Sequence, residues 1–324
     1  MTTIESLDPA DDVQYAEFYS VYAAALGDEW DRPYSAREKR LALQEKSEYQ
    51  EVIGALGRND AGVAVVAGTI DFSLKDNVDV GFIEVGVAPG HRRQGHGSAM
   101  VAHLVELNSS RGRTSLMGEV RWDEGQTGSG HTAFAEACGF HLDMADAHRV
   151  LDLPAPLPEA PARDGYTMVS WRRGVPDEWI DQYAHLVSRL VEDSPSGDFP
   201  LENEFYDAGR IRADERLLAE QGRVMQVVAA VSPDGELVGH TQLVFPESDP
   251  GDVYQWATLV LPEHRGHGLG LSLKVEAMRV SADLLEGRRF VHTYNHADNG
   301  PMIAVNEVMG FRRVGWLGEF VRNL

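Results

Sequence analysis

The sequence has one cysteine, Cys138, in 324 residues. A single thiol excludes an intramolecular disulfide and any zinc site built on several cysteines, and no metal is expected. No stretch approaches the roughly 20 apolar residues that a membrane-spanning helix needs. The opening MTTIESLDPADD lacks the basic-plus-apolar pattern of a secretory signal. The expectation is a cytoplasmic protein with no membrane partner. Positive charge is scarce as well: 29 Lys and Arg stand against 51 Asp and Glu, a net charge of −22. That balance argues against nucleic acid as a partner, because phosphate backbones are bound by cationic surface. The acidic balance chiefly serves solubility, and it would also suit a cationic small molecule.

What is present is a repeat. VGVAPGHRRQGHGSAM begins at Val85, and ATLVLPEHRGHGLGLSL begins at Ala257. Pro89 and Pro262 are 173 residues apart, as are Gly95 and Gly268, and Gly139-Phe140 and Gly310-Phe311 repeat at a spacing of 171. Landmarks that hold one offset over half the chain indicate a duplicated domain. The proline-rich stretch DLPAPLPEAPARDG cannot continue a helix or a central strand. The expected organisation is a domain at 1–153, a linker at 154–164 and a second domain at 165–324. Pattern and punctuation predict helices over 13–26, 36–49, 94–110 and 131–138, with strands over 62–74, 78–87 and 115–122 and from Phe140. The second half repeats the order, with helices over 176–192, 211–220, 268–285 and 302–309. Its strands are expected over 166–171, 224–231, 236–245, 253–261, 289–294 and 311–320. Each half reads as α+β, a mixed central sheet flanked by helices.

A strand that delivers the chain to the start of a helix presents unpaired backbone N–H groups, and glycine there lets an anion approach them closely. The helix dipole adds roughly half a positive charge. Gly95 and Gly97, or Gly268 and Gly270, suit a phosphate or pyrophosphate, with Arg92 and Arg265 adding charge nearby. A Walker loop would end in Gly-Lys-Ser/Thr, and a dinucleotide fold needs a third glycine; neither copy has them.

These residues resemble the acetyl-CoA signature of the GCN5-related N-acetyltransferase (GNAT) family. The match runs from Val87 through Arg92, Arg93, Gln94, Gly95, His96 and Gly97, and again from Val260 through Arg265, Gly266, His267, Gly268, Leu269 and Gly270. The two-module layout is similar to the tandem double-domain type of mycothiol synthase and related actinobacterial acetyltransferases. The resemblance implies two tandem GNAT-like domains that bind acetyl-CoA and transfer its acetyl group to an amine, with a small-molecule acceptor expected. It also implies backbone amides on the pyrophosphate, a base for the acceptor ammonium and a proton donor for the departing thiolate. The chain is expected to be a monomer or homodimer.

The halves differ where chemistry is expected. The family tyrosine four residues before Gly-Phe is replaced by Ala135 and Asn306; Asn306 suits either helix capping or a bond to the pantetheine arm, and the arm contact is the expectation. In the second half Asn295 is the better cofactor ligand, while Asn299 is equally a helix cap. Tyr294 is a candidate acid. Glu84 lies on the first motif strand as a candidate base, and Ala257 stands at its counterpart. His240 and Glu247 are candidate bases in the second half, which is expected to be catalytic, with the first half ancillary. The acidic loop around Asp193, Asp198, Glu202 and Glu204 could attract a cationic amine. A non-catalytic CoA-binding scaffold and a protein or peptide N-acetyltransferase are the competing readings.

Overall fold

The computed structural model describes residues 1–26, 30, 32–160, 165–190 and 197–324. Residues 161–164 of the expected linker and Asp193 of the acidic loop lie outside the described residues, as does the end of the helix expected to reach Glu192. The chain forms two compact units. One comprises Met1–Ala145, Gly197–Glu202 and Leu317–Leu324; the other comprises Asp146–Ser196 and Asn203–Trp316.

In the first unit the order is β1 (Thr3–Ser6), α1 (Asp12–Ala25), α2 (Ala36–Gln44), β2 (Gln50–Arg58), β3 (Ala64–Ser73), β4 (Val80–Val87), α3 (His96–Ser110), β5 (Ser115–Asp123) and α4 (Gly130–Ala137). Asp11 caps α1 by accepting from the Val13 and Gln14 amides, and Ser35 with Glu38 forms a capping box on α2. Phe18, Tyr22, Leu56 and Ala67 form a core beneath α1. Met100 and Leu104 of α3 are fully buried, and each such side chain contributes roughly 1.5–3 kcal/mol. The helix expected over 36–49 ends at Gln44, and β2 was not anticipated. Its Gly54 and Gly57 lower strand propensity, yet packing requires small residues there: a Cβ on Gly54 would fall 2.6 Å from Leu7 Cδ2.

The second unit repeats the plan with β7 (Thr167–Arg172), α5 (Ile180–Ser188), α6 (Ala208–Glu220), β8 (Arg223–Val231), β9 (Leu237–Pro246), β10 (Asp252–Val260), α7 (Leu269–Val280), α8 (Ala282–Leu285), β11 (Phe290–His296) and α9 (Gly300–Met309). The helix expected over 268–285 is interrupted at the buried Ser281. Val253 and Val291 pack with Leu273, Met309 and Phe311 on one face of the sheet. Trp171, Tyr183, Ile211 and Val227 pack on the other.

Two long strands remain, β6 (His141–Asp152) and β12 (Arg312–Asn323). Strand order in the first unit is β1-β2-β3-β4-β5-β12, and in the second β6-β11-β10-β9-β8-β7. The last strand of each sheet therefore comes from the other half of the chain. Residues 146–152 of β6 run antiparallel to β11, from Asp152 opposite Phe290 to Asp146 opposite His296. Val321 of β12 is buried with Val80 and Met117, and the Leu324 amide donates to the Thr114 carbonyl at 2.8 Å. The compact units thus part inside β6, between Ala145 and Asp146, and not in the proline-rich stretch. That stretch is not a loose tether where it is described: Leu153, Ala155 and Ala160 pack against the second core.

Candidate active site

Both repeated motifs fold alike. A central strand, β4 or β10, leads through a short 3₁₀ turn at Pro89–His91 or Pro262–His264 into α3 or α7. Each helix is preceded by a left-handed glycine, Gly95 at φ 86° and Gly268 at φ 69°. That conformation costs an ordinary L-residue roughly 1–2 kcal/mol. The first-turn amides that follow it have no partner inside the helix. Arg93 adopts φ 63° where the second copy has Gly266 at φ 85°. The arginines brace the loops: Arg92 Nε donates to the Val87 carbonyl at 3.3 Å and its NH2 to the Ala25 carbonyl at 2.9 Å. Arg265 Nε donates to the Val260 carbonyl at 3.0 Å. Gln94, Arg265, Gly266 and His267 are exposed, whereas His96 is buried against Thr2, and Leu269 belongs to the core.

Behind each loop the sheet opens. Strands β4 and β5 pair in parallel only from Val80 to Phe82, and β10 and β11 only from Asp252 to Tyr254. Beyond those points the motif strand leaves its neighbour, so the gap begins at the helix N-terminus and runs into the sheet. The gaps are furnished differently. Strand β10 carries one extra residue relative to β9 between Gln255 and Thr258, a bulge that releases its backbone groups from the ladder. Trp256 stands in it at 41% exposure. Gln255 braces the bulge by donating to Thr241 Oγ1 at 2.9 Å and to the Gln242 carbonyl at 2.7 Å. Strand β4 pairs with β3 without a break from Phe82 to Val87. A Cβ placed on Gly97 would meet the Phe134 ring at 3.0 Å, while one on Gly270 would find nothing closer than Val305 at 3.8 Å. The space over the helix-opening glycine is thus filled by Phe134 in the first loop and open in the second.

The profile of the acetyltransferase (GNAT) family matches residues 15–140 and again 186–311. The chain belongs to the GNAT family. Mycothiol acetyltransferase of Paenarthrobacter aurescens (strain TC1) is 30% identical over 262 residues, covering 78% of this chain and 71% of that protein. The mycothiol acetyltransferase of Streptomyces bingchenggensis (strain BCW-1) is 29% identical over 242 residues, 73% of this chain and 70% of that one. Among solved structures, a tandem GNAT protein from the clavulanic acid biosynthesis pathway superimposes with a TM-score of 0.83 at 26% identity over 100% of this chain and 98% of its own. This GNAT protein is accordingly an acetyl-CoA-dependent N-acetyltransferase.

Within the GNAT fold the candidate residues fall as follows. Glu84 is engaged by Lys39, whose ammonium is almost buried and lies 4.7 Å over the Tyr22 ring. Burial, and then the Glu84 charge, hold the Tyr22 hydroxyl far above its ordinary pKa. His240 is fully buried with its ring 5.3 Å from Tyr183. Burial pushes its pKa down to about 4, so near neutral pH it is a weak proton acceptor inside the core and not at a surface open to an acceptor. Glu247 is exposed beyond Pro246, at the end of β9 away from the loop, whereas Gly239 is opposite Val260. Asn299 caps α9 by accepting from the Met302 amide at 3.2 Å. Of the acidic loop, Glu202 is bonded to Asn77 and Glu204 to Arg210.

Tyr294 is half-buried and stacks on His148 at 4.4 Å. His148 Nε2 in turn lies 3.0 Å from His292 Nδ1, and His292 Nε2 lies 3.5 Å from the buried Asp252 carboxylate. This polar chain ties β6, β11 and β10 together. Asn306 is fully buried; it accepts from Lys274 Nζ at 2.9 Å, and its own amide donates to Asn295 Oδ1. Lys274, Trp256 and His148 were not singled out from sequence. The only signal for Lys274 was a lysine four residues after Gly270, on the same helical face.

Proposed function

We propose that this GNAT protein acetylates a small molecule bearing a primary amine, that the C-terminal half holds the reacting acetyl-CoA, and that the N-terminal half is ancillary. The modules read as repeats at 1–153 and 165–324, with 154–164 between them. The observation that carries the reading is the bulged, opened β10. It offers unpaired backbone groups and an exposed indole beside a gap whose entrance, over Gly270, is clear. Backbone amides around Gly266, Gly268 and Gly270 would hold the pyrophosphate, and Asn295 and Asn306 would line the arm. Bound acetyl-CoA supplies the activated acetyl thioester. A protonated amine over the face of Trp256 would gain a cation–π attraction, in keeping with a chain of net charge −22. Support for a small acceptor comes also from the relatives, which are named for mycothiol.

The test is a thiol-release screen over amines that includes mycothiol-related amines, amino sugars and aminoglycosides, run on the parent and on Gly270→Leu. Leucine is a good helix former and enters open space, so the variant is expected to fold while losing at least ten-fold in acetyl-CoA affinity and most of its turnover. Full turnover in Gly270→Leu would place the reaction elsewhere.

A further inference from the structure

Lys274 is 2% exposed, and among the described residues its hydrogen-bond partner is an amide oxygen and not a carboxylate. The first half fills the matching positions with Val101 and Ala135, both buried, so this fold does not need a cation or an amide there. Burying an ammonium without a counter-charge is costly, and in an enzyme such a cost points to a role at the site.

The geometry specifies the role. As an ammonium, the form that prevails below about pH 7, Lys274 has donors only, so Asn306 then turns Oδ1 toward it and Nδ2 away. Asn306 Nδ2 donates to Asn295, which must then present Oδ1 to it. Both flips follow from one charge at the end of the chain. The amino group of Asn295, with two N–H donors, is left on the half-exposed part of β11 that β10 has abandoned, three residues past the last parallel pair at His292. Hydrogen bonds in such a chain polarise one another.

We propose that Lys274 is a positioning residue for acetyl-CoA, fixing the flips of Asn306 and Asn295 so that amide donors face the carbonyl-rich pantetheine arm in the gap between β10 and β11. The inference rests on the reading that the C-terminal half binds acetyl-CoA. Burial alone lowers the Lys274 pKa to about 7, which supplies a second readout. The unfolded chain keeps the ordinary value near 10.5, so between those values the unfolded state binds more protons. The stability penalty of the buried lysine therefore shrinks as pH rises from about 7 toward 10.5.

The experiment is calorimetric titration with acetyl-CoA at pH 6, where Lys274 is charged, of the parent, Gly270→Leu, Lys274→Met, Asn306→Leu and the Lys274→Met/Asn306→Leu double variant, with guanidinium unfolding of the parent and Lys274→Met from pH 6 to 10. Lys274→Met is expected to bind acetyl-CoA about ten-fold or more weakly, and to add nothing to the loss already caused by Asn306→Leu, because the lysine acts through that residue. At pH 6 it is expected to be as stable as the parent or more so, with the difference fading toward pH 10. Parent-like affinity in Lys274→Met, an equal loss in the Asn306→Leu background, or a less stable Lys274→Met at pH 6 would each overturn the proposal. If Gly270→Leu also binds normally, the C-terminal reading falls with it; if Gly270→Leu fails to bind while Lys274→Met binds as the parent does, this inference alone falls. Should Lys274→Met not fold, Lys274→Gln carries the same titration.

Discussion

At the scale of single residues, the two halves separate by what their carboxylates and amides touch. Glu84 has the sequence position of a general base, yet its carboxylate is held by the nearly buried Lys39. We therefore expect Glu84→Gln to keep most activity, within a few-fold of the parent, when kcat/KM for a responsive amine is followed from pH 6 to 9. Loss of a general base would instead cost about 10²–10⁴-fold and remove the lower-pH limb, and that outcome would move the chemistry to the N-terminal half. Glu84 was legible as a carboxylate on the motif strand. Its pairing was not, because Lys39 approaches from a helix 45 residues earlier. Asn306 shows the reverse: its replacement of the expected tyrosine was visible in the repeat, but the ammonium that orients it comes from α7, 32 residues away.

At the scale of elements, strand–loop–helix geometry was readable because it depends on local chemistry. Proline, the His-Arg pair and glycine at fixed spacing place the turn and the helix start, and both copies fold that way. The bulge in β10 was not readable. Gln255 to Thr258 lie inside one continuous strand-like run with no glycine or proline to mark a break, and the extra residue exists only relative to β9. It places Trp256 at the surface, where the first half has the half-buried Ile83. Trp256→Ala is expected to raise the KM for the acceptor amine by about 3- to 30-fold, the range of a cation–π contact of roughly 0.5–2 kcal/mol. Acetyl-CoA affinity by calorimetry should change less than two-fold. An unchanged acceptor KM would remove the indole from the acceptor site.

At the scale of the whole molecule, each sheet is completed by a strand from the other half of the chain. Residues 317–324 belong to the first unit and residues 146–152 to the second. Truncation after Trp316 is thus expected to strip amide hydrogen-exchange protection chiefly from β5 and its neighbours in the first unit, although the deletion is made at the end of the second repeat. It exposes an unpaired sheet edge and the buried Val80, Met117 and Val321 cluster. For the same reason the fragments 1–153 and 165–324, cut where the repeat and the prolines invite it, should each aggregate or remain unfolded when expressed alone. A cooperative, well-protected 165–324 would show that β6 is dispensable to its sheet. Among the described residues no helix is long and apolar enough to cross a membrane.

The sequence by itself determined the duplication, through landmarks repeated at one long offset, and the α+β class, the two strand–turn–helix loops and the cofactor, through short-range spacing: glycines where the backbone must be left-handed, and donors where a helix begins. Tertiary structure alone decided which strand closes which sheet, that Glu84 is paired and His240 sealed, and that a buried lysine aligns two asparagines beside the gap. Those outcomes depend on burial and on contacts between residues tens to hundreds of positions apart, and no local pattern along the chain records them.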